Sequence, residues 1–480
     1  MKMILILLIL ITLYTFNLFA QWQPDVRLTY NPAASSTSFN NAWCIASSGD
    51  FVHAVWYDIR DGNREIYYKR STDGGVSWGA DTRLTNNSAN SWYPSVSVSS
   101  SVVHVVWQDN RDGNEEIYYK RSTDGGLSWG TDTRLTSNSG YSLSPSGAVS
   151  GSEVHVVWYE DRDGNNEIYY KRSSDGGISW GADTRLTNDL ADSYGSSVSV
   201  SGSVVHVAWQ DKRDSNYEIY HKRSTDAGIS WGTDTRLTNN PALSRYPSLS
   251  ASGSIVHIVW EDYRGADFNI YYKRSTDGGT SWTADIPLTL DSGDSYHPSL
   301  SVNGSVLHAV WSDNRDGNSN IYYKRSTDAG ISWQADTPLT SNSATAVSVS
   351  VSVSGQVVHV VWQDNREGNY EIFYKRNPTG NSVSIRNINS ELPNEFLLLQ
   401  NYPNPFNPNT VITYRLATRS FTSLKIYDLS GKEASTLVNE QLQPGTYEVD
   451  FDGNNFTSGV YFYSLVTDEF IETKKMILTK

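Results

Sequence analysis

Three ladders of residues in this chain could carry chemistry. His53, His104, His155, His206, His257, His308 and His359 recur every 51 residues, each three positions before Trp56, Trp107, Trp158, Trp209, Trp260, Trp311 or Trp362. Arg60, Arg111, Arg162, Arg213, Arg264, Arg315 and Arg366 follow in W-x-D-x-R segments. Asp58, Asp109, Asp211, Asp262, Asp313 and Asp364 stand two residues before them, with Glu160 in the third copy. Asp73, Asp124, Asp175, Asp226, Asp277 and Asp328 occupy S-x-D-x-G-x-x-W segments that end in a second tryptophan ladder, Trp78, Trp129, Trp180, Trp231, Trp282 and Trp333, with six members rather than seven. Histidine and carboxylate bind metals and move protons, and arginine clamps carboxylates. The regularity argues against each of these roles. A zinc ion needs its ligands within about 2 Å, and one histidine per repeat cannot converge on one ion. No metal and no cofactor is expected. The arginine beside its carboxylate reads first as a loop brace, one pair per repeat, and second as a clamp for a substrate carboxylate. A calcium loop is disfavoured, because arginine stands in D-x-R-D-G-N-x-E where an oxygen ligand is needed.

The elements that must position these residues are short strands. In the unit from Pro94 to Thr136, Ser95–Ser99 alternates and Val102–Trp107 is apolar on both faces. Arg111–Asn114 is a turn signal, Glu116–Arg121 a third strand, Asp124–Gly126 a second turn, and Trp129–Thr136 a fourth strand. Four strands per unit, seven times over, describe an all-β, seven-bladed β-propeller. The seventh unit stops near Arg376 without a fourth strand, while Asp25-Val-Arg-Leu-Thr29 matches Asp81–Thr85 with no blade before it. Residues 25–29 are therefore expected to complete the last blade and remove the open sheet edges. The propeller is expected to span 21–376.

Composition narrows the classes further. With 38% hydrophobic and 19% charged residues, the chain is too polar for a multi-span membrane protein, and at 12% aromatic it is too aromatic for a disordered one. A net charge of −14 speaks against nucleic acid or anionic lipid as partner. Cys44, the lone cysteine, excludes a disulfide framework and a thiol redox pair. Residues 1–20 read as a secretory signal: Lys2, an apolar run, and Leu18-Phe19-Ala20. A monomer is expected.

The S-x-D-x-G-x-x-W segments resemble the Asp-box, or BNR repeat, of sialidase-like proteins. The resemblance implies that these aspartates fold their own turns, away from the ligand face, and they are assigned a structural role. It also implies, for a sialidase, an arginine triad, a tyrosine–glutamate nucleophile pair, an acid/base aspartate and an early Arg-Ile-Pro. Here Asp285-Ile-Pro287 lacks the arginine, and no Glu–Tyr–Arg set stands outside the repeat. No catalytic residue is carried over.

A ligand on a seven-fold ring is contacted where the copies differ. The connections from the fourth strand of one blade to the first of the next vary most, and they give the candidate ligand contacts: Trp92, Tyr93, Tyr141, Tyr194, Arg245, Tyr246, Tyr296 and His297. Aromatic rings with a few polar groups suit sugar faces; the alternative is that they cover the propeller mouth. His221, in place of a recurrent tyrosine, reads as drift. Residues 377–394 are Pro-, Asn- and Ser-rich and read as a linker. From 395 to 480, short strands between Gly/Pro turns suggest a small Ig-like β-sandwich. Its N-Y-P-N-P-F-N-P string and its Lys474-Lys-Met-Ile-Leu tail resemble the type A sorting domain of the type IX secretion system. That resemblance implies a Bacteroidota-type outer membrane and passage through its translocon. The chain is expected to be a secreted or surface glycan-binding propeller, with a sialidase-type glycoside hydrolase or a ligand-free structural protein as alternatives.

Overall fold

The computed structural model describes residues 22–38, 43–378, 386–389, 393–418, 420–442, 444–453 and 456–480. The expected signal segment lies outside them. Among the described residues every regular element is a strand, and no helix is long and apolar enough to cross a membrane.

The second blade shows how the sequence makes a sheet. Ser91–Ser99, Val102–Asp109, Glu116–Ser122 and Thr133–Arg134 pair antiparallel in chain order. The V-x-H-x-V-W strand is central and covered on both faces, so its apolar residues alternate with nothing polar except the histidine. Trp107 is fully buried, stacks on Tyr118 at 6.0 Å and gives its Nε1 proton to Asp109 at 3.0 Å. Burying one such indole removes roughly 200 Å² from water, about 5 kcal/mol per blade. The same order recurs in seven successive sheets, which form a seven-bladed propeller. The fourth strands are shorter than the sequence suggests, two residues instead of eight. Asp132 is caught between Arg111 and Lys120, and Ile117 N–H donates to the Thr136 hydroxyl rather than to a backbone carbonyl.

The seventh blade draws its outer strand from the N-terminus. Val26 pairs with Tyr374 and Arg27 with Phe373, and Leu28 N–H donates to Ile372 at 2.7 Å. Asp25 bridges Arg366 and Lys375 as Asp81 bridges Arg60 and Lys69. Trp22 supplies the seventh member of the second tryptophan ladder: its ring meets Tyr323 at 4.9 Å, as Trp129 meets Tyr68 at 4.8 Å. Trp22 stands 56 residues before Trp78 rather than 51. The difference is an insertion in the first blade's inner strand, where nine positions, not four, separate Ser36 from Ile45 between matching partners on the next strand.

The inner strands are laced to each other by serines. Ser197, Ser248 and Ser299 each accept the backbone N–H of the next blade at 3.2 Å, and Ser350 accepts that of Cys44 at 3.1 Å. Around the axis they enclose a cavity of about 210 Å³, lined by serines such as Ser97, Ser250 and Ser352 and by Trp43.

Trp22 to Asn377 is one compact unit, and the chain from Pro378 belongs to the other. The second unit is a sandwich of two four-stranded sheets sharing a core of Phe406, Ile412, Leu424, Phe451, Tyr463 and Met476. Part of the segment read as a linker belongs to it: Arg386–Asn389 pairs with Gly445–Asp452.

Two consequences can be measured. Trp22→Ala should cost roughly 2–3 kcal/mol in urea unfolding, whereas Leu190→Ala, at a fully exposed site, should cost under about 0.5 kcal/mol; equal effects would contradict the closing role of Trp22. Burial lowers the ladder histidines, with His53, His104, His155 and His206 at about 4 and His257, His308 and His359 at about 3. Folding holds them neutral, so the stability they contribute is complete above their ordinary value near 6.5 and is lost as pH falls through 6.5 toward 4. Urea titrations from pH 8 to pH 4.5 should show a steep fall beginning near pH 6.5; a flat profile would refute the assignment.

Candidate functional site

Two faces of the ring differ in chemistry. On one, the S-x-D-x-G-x-x-W turns dock on the turn between the first and second strands, with Gly125 N–H donating to Ser101 at 2.9 Å. Asp124 accepts Ser122 Oγ at 2.7 Å, Ser128 N–H at 2.9 Å and Ser128 Oγ at 2.5 Å. These bonds hold its carboxyl far below the usual range. Asp73, Asp175, Asp226, Asp277 and Asp328 make the same bonds to their own serines. They are consumed within their own turns.

The histidines are paired too. His104 Nδ1 meets Tyr119 OH at 2.7 Å, and the same pair recurs in six blades. In the fourth blade His221 takes the tyrosine's place, with His206 Nδ1 at 3.1 Å from its Nε2. His221 is fully packed against Trp282 at 5.1 Å, so it preserves the junction rather than drifting free of it.

The opposite face is the mouth. There the arginine ladder is braced, as its regularity suggests. Arg111 Nη2 lies 2.5 Å from Asp109, Nη1 lies 2.6 Å from Asp132, and the guanidinium covers the Tyr118 ring at 4.3 Å. Arg60, Arg162, Arg213, Arg264 and Arg366 repeat this pairing with two carboxylates each, and Arg315 adds a third, Asp291 at 2.6 Å.

The sequence-derived contacts sit on this face, but not in connecting loops. Trp92, Tyr93, Tyr194, Arg245, Tyr246, Tyr296 and His297 all lie within the inner strands, at a bulge where the register shifts. Only Tyr141 stands outside a strand, exposed, with its N–H on Asp161 at 2.7 Å. Alternation disguised the bulge, because an extra residue in a strand leaves no turn signal. Tyr93, Tyr246 and His297 adopt left-handed backbone with φ of 51°, 50° and 51°, where the fourth blade has Gly195 at 57°. For bulky residues this costs of order 1 kcal/mol each, and such strain collects at functional sites.

A partner from the preceding blade over-determines the bulge. In three blades a glutamine directly after the ladder tryptophan receives the bulge N–H of the next blade: Gln108 from Ser144 at 3.1 Å, Gln210 from Tyr246 at 2.9 Å, Gln363 from Thr37 at 3.0 Å. In the fifth blade this residue is Glu261, which accepts His297 N–H at 2.5 Å. Its other oxygen takes Arg245 Nε at 2.9 Å, and His297 Nε2 lies 4.0 Å away. Arg245 spreads over Phe268 at 4.1 Å and Tyr246 at 5.3 Å, and Tyr246 meets His297 edge-on at 5.3 Å. Glu261, Arg245 and Tyr246 thus meet at repeat positions that other blades fill with other residues, Glu261 standing one residue past its ladder tryptophan inside an otherwise regular segment. Burial pushes the Glu261 carboxyl up to about 7, more strongly than His297 N–H and Arg245 pull it down. Burial also lowers His297 to about 4.

A second aromatic group lies across the mouth. Arg64 covers Trp92 at 5.5 Å, and Tyr93 meets Tyr57 at 5.9 Å. Tyr194 packs edge-on to Tyr159 at 5.2 Å. The phenol of Tyr93 is raised to about 12, chiefly by burial and also by Tyr57, Tyr159 and Tyr246, so the two groups are within electrostatic reach of each other. Among the described residues no cluster of three or more His, Cys, Asp or Glu could hold a metal ion.

Residues 400–479 match the secretion system C-terminal sorting domain. A xyloglucanase of Paenibacillus sp is 26% identical over an alignment of 251 residues, covering 44% of this chain. The match takes in only 23% of that enzyme's length. Among solved structures, polysaccharide lyase Uly1 superposes with a TM-score of 0.50 at 8% identity, covering 75% of this chain and 99% of that one. Phage phi92 endosialidase gives 0.46 at 10% identity, over 94% and 87%. Trypanosoma rangeli sialidase with 2,3-difluorosialic acid gives 0.44 at 11%, over 83% and 85%. At 8% identity the likeness to the lyase is one of fold alone.

Because the Glu261 carboxyl is raised in the folded chain, its ionisation costs stability as pH climbs from its ordinary value near 4.5 through 7. Glu261→Gln restores the residue of the second, fourth and seventh blades. The stability of Glu261→Gln relative to the parent should therefore rise between pH 5 and pH 8 in urea titrations; a constant difference would show that Glu261 ionises freely.

Proposed function

We propose that the propeller is a secreted or cell-surface glycan-binding module and that the ligand lies on the mouth, across the bulges of the inner strands. The observation that carries this reading is the departure from seven-fold regularity. The repeated charged groups of this face are paired with one another, while half-exposed rings and the Arg245–Glu261 pair appear only in particular blades. Rings for sugar faces beside a few fixed polar groups are the composition of a saccharide site. Export is supported by the sorting domain at 400–479.

One observation favours a second reading, a sialidase-type glycoside hydrolase. Glu261 is buried beside Arg245 and in electrostatic contact with Tyr246, and its raised carboxyl holds a proton near neutral pH. Turnover of a fluorogenic sialoside that is lost in Glu261→Gln would establish that reading in place of binding alone.

The binding reading is tested with a glycan array followed by calorimetry on the strongest ligand. Trp92→Ala with Tyr93→Ala, and separately Arg245→Ala, should each weaken binding about tenfold, the loss of one or two ring or charge contacts worth 1–2 kcal/mol. The thermal unfolding midpoint should stay within a few degrees. Silence across the array, or unchanged affinity in both variants, would leave the structural alternative.

A further inference from the structure

The N-Y-P-N-P-F string of the second domain divides into residues that the fold consumes and one that it does not. Asn401 is buried, donating its backbone N–H to the Tyr463 hydroxyl at 2.7 Å and its side-chain amide to Pro403 O at 3.1 Å and Thr410 Oγ1 at 2.9 Å. Asn404 receives Ile477 N–H at 2.9 Å and donates to Lys475 O at 3.3 Å. Phe406 is buried against Phe451 at 5.8 Å, and its backbone exchanges hydrogen bonds with the C-terminal strand, Phe406 N–H to Ile477 O at 2.9 Å and Thr479 N–H to Phe406 O at 3.0 Å. The string is thereby stapled to the last strand of the chain. Between these anchors Tyr402 is bridged to Val411 by two backbone bonds of 2.9 Å, so its main chain is fixed. Its side chain is 82% exposed, whereas Tyr414, Tyr447, Tyr461 and Tyr463 of the same domain are buried. Pro403 and Pro405, also exposed, flank it, and exposed Lys475 borders the patch through its carbonyl under Asn404.

We propose that Tyr402 is the anchor through which a protein subunit of the secretion machinery grips the sorting domain. A tyrosine presented on a fixed backbone offers a large apolar face and a hydroxyl at little entropic cost, and such residues dominate protein interfaces. The proline neighbours have no backbone N–H to satisfy and lose no torsional freedom on burial. The fitting partner surface is an apolar slot with a hydrogen-bond acceptor at its base and an acidic rim for Lys475. The match of the domain to a secretion sorting domain begins at residue 400, at this string. The assignment is independent of what the propeller binds.

The test uses the full chain in a bacterium with a working type IX system, comparing cell-surface and medium protein with the periplasmic pool. A chain ending at 394 sets the zero of export. Tyr402→Ala should cut export about tenfold or more, Tyr402→Phe should retain most of it, and the unfolding midpoint of both purified variants should match the parent. Export of Tyr402→Ala at the parent level would overturn the proposal. Should Tyr402→Ala fold poorly, Tyr402→Gln keeps the backbone bridge in a soluble side chain, and its normal export would overturn the proposal as well. Normal export of the chain ending at 394 would remove the sorting role of the whole domain, and Tyr402 with it.

Discussion

The junction between neighbouring blades is the contact on which the ring depends. A tyrosine from the third strand of one blade, Tyr68 for example, bonds its hydroxyl to His53 Nδ1 at 2.7 Å and lays its ring 4.8 Å from Trp129 of the next blade. Its hydroxyl lies 1.8 Å from where a Cβ on Gly126 would stand, and Gly126 has φ of 84°, so only glycine fits. Histidine, tyrosine, glycine and tryptophan are thus one device, spread over two blades. The histidine stays neutral because burial forbids its charge, and the tyrosine satisfies a polar atom that would otherwise be orphaned in a dry seam. At the junction of the sixth and seventh blades the device lacks its turn, and Trp22 alone supplies the indole.

A frame built from identical junctions leaves little for function in its repeated residues. Arg60 gives one Nη to Asp58 and the other to Asp81, and it covers Tyr67 at 4.2 Å. The S-x-D-x-G-x-x-W aspartates are held by their own turns, and six of the ladder histidines are tied through Nδ1 to their tyrosines. The binding proposed for the mouth rests on the substitutions that the frame tolerates there, at the bulges of the inner strands. Strain at Tyr246 and His297 is held by hydrogen bonds to the preceding blade, which makes the presentation of those rings a property of the propeller rather than of a loop.

The period of 51 made most of the frame legible, because one supersecondary unit repeated without insertions announces itself in spacing alone. The match between Asp25–Thr29 and Asp81–Thr85 similarly foreshadowed the strand at Val26–Arg27. Trp22 was hidden by the insertion after Ser36, although it precedes Asp25 by three residues as Trp78 precedes Asp81. Glu261 was hidden for a different reason. It occupies the position of Gln108 and Gln210, one residue past the ladder tryptophan, and a variable residue inside a regular strand looks like tolerated variation until its neighbours are placed. The bulge was invisible because it changes register without changing composition, and so the mouth residues read as loop.

The pairing of Arg245 with Glu261 is best understood by comparing blades. The two face each other across the ladder between the inner and second strands. The equivalent pairs elsewhere are Ser36 with Tyr57, Trp92 with Gln108, Leu143 with Tyr159, Tyr194 with Gln210, Tyr296 with Ser312 and Val347 with Gln363. A glutamine oxygen receives the bulge N–H as well as a carboxylate does, so the backbone does not call for Glu261. A buried ion pair rarely adds stability over a neutral alternative, since desolvating two charges cancels most of their attraction. Here the raised Glu261 carboxyl shows that burial outweighs the arginine's pull. The fifth blade thus carries an electrostatic cost that neither its hydrogen bonding nor its packing requires, on the face where rings are held in strained backbone. What the pair provides is a guanidinium fixed by one edge to Glu261 and stacked on Phe268, one-third exposed at the mouth. On the binding reading proposed above, a rigid donor of that kind would serve recognition rather than folding, and the fifth and sixth blades would be the sector around which a ligand is oriented.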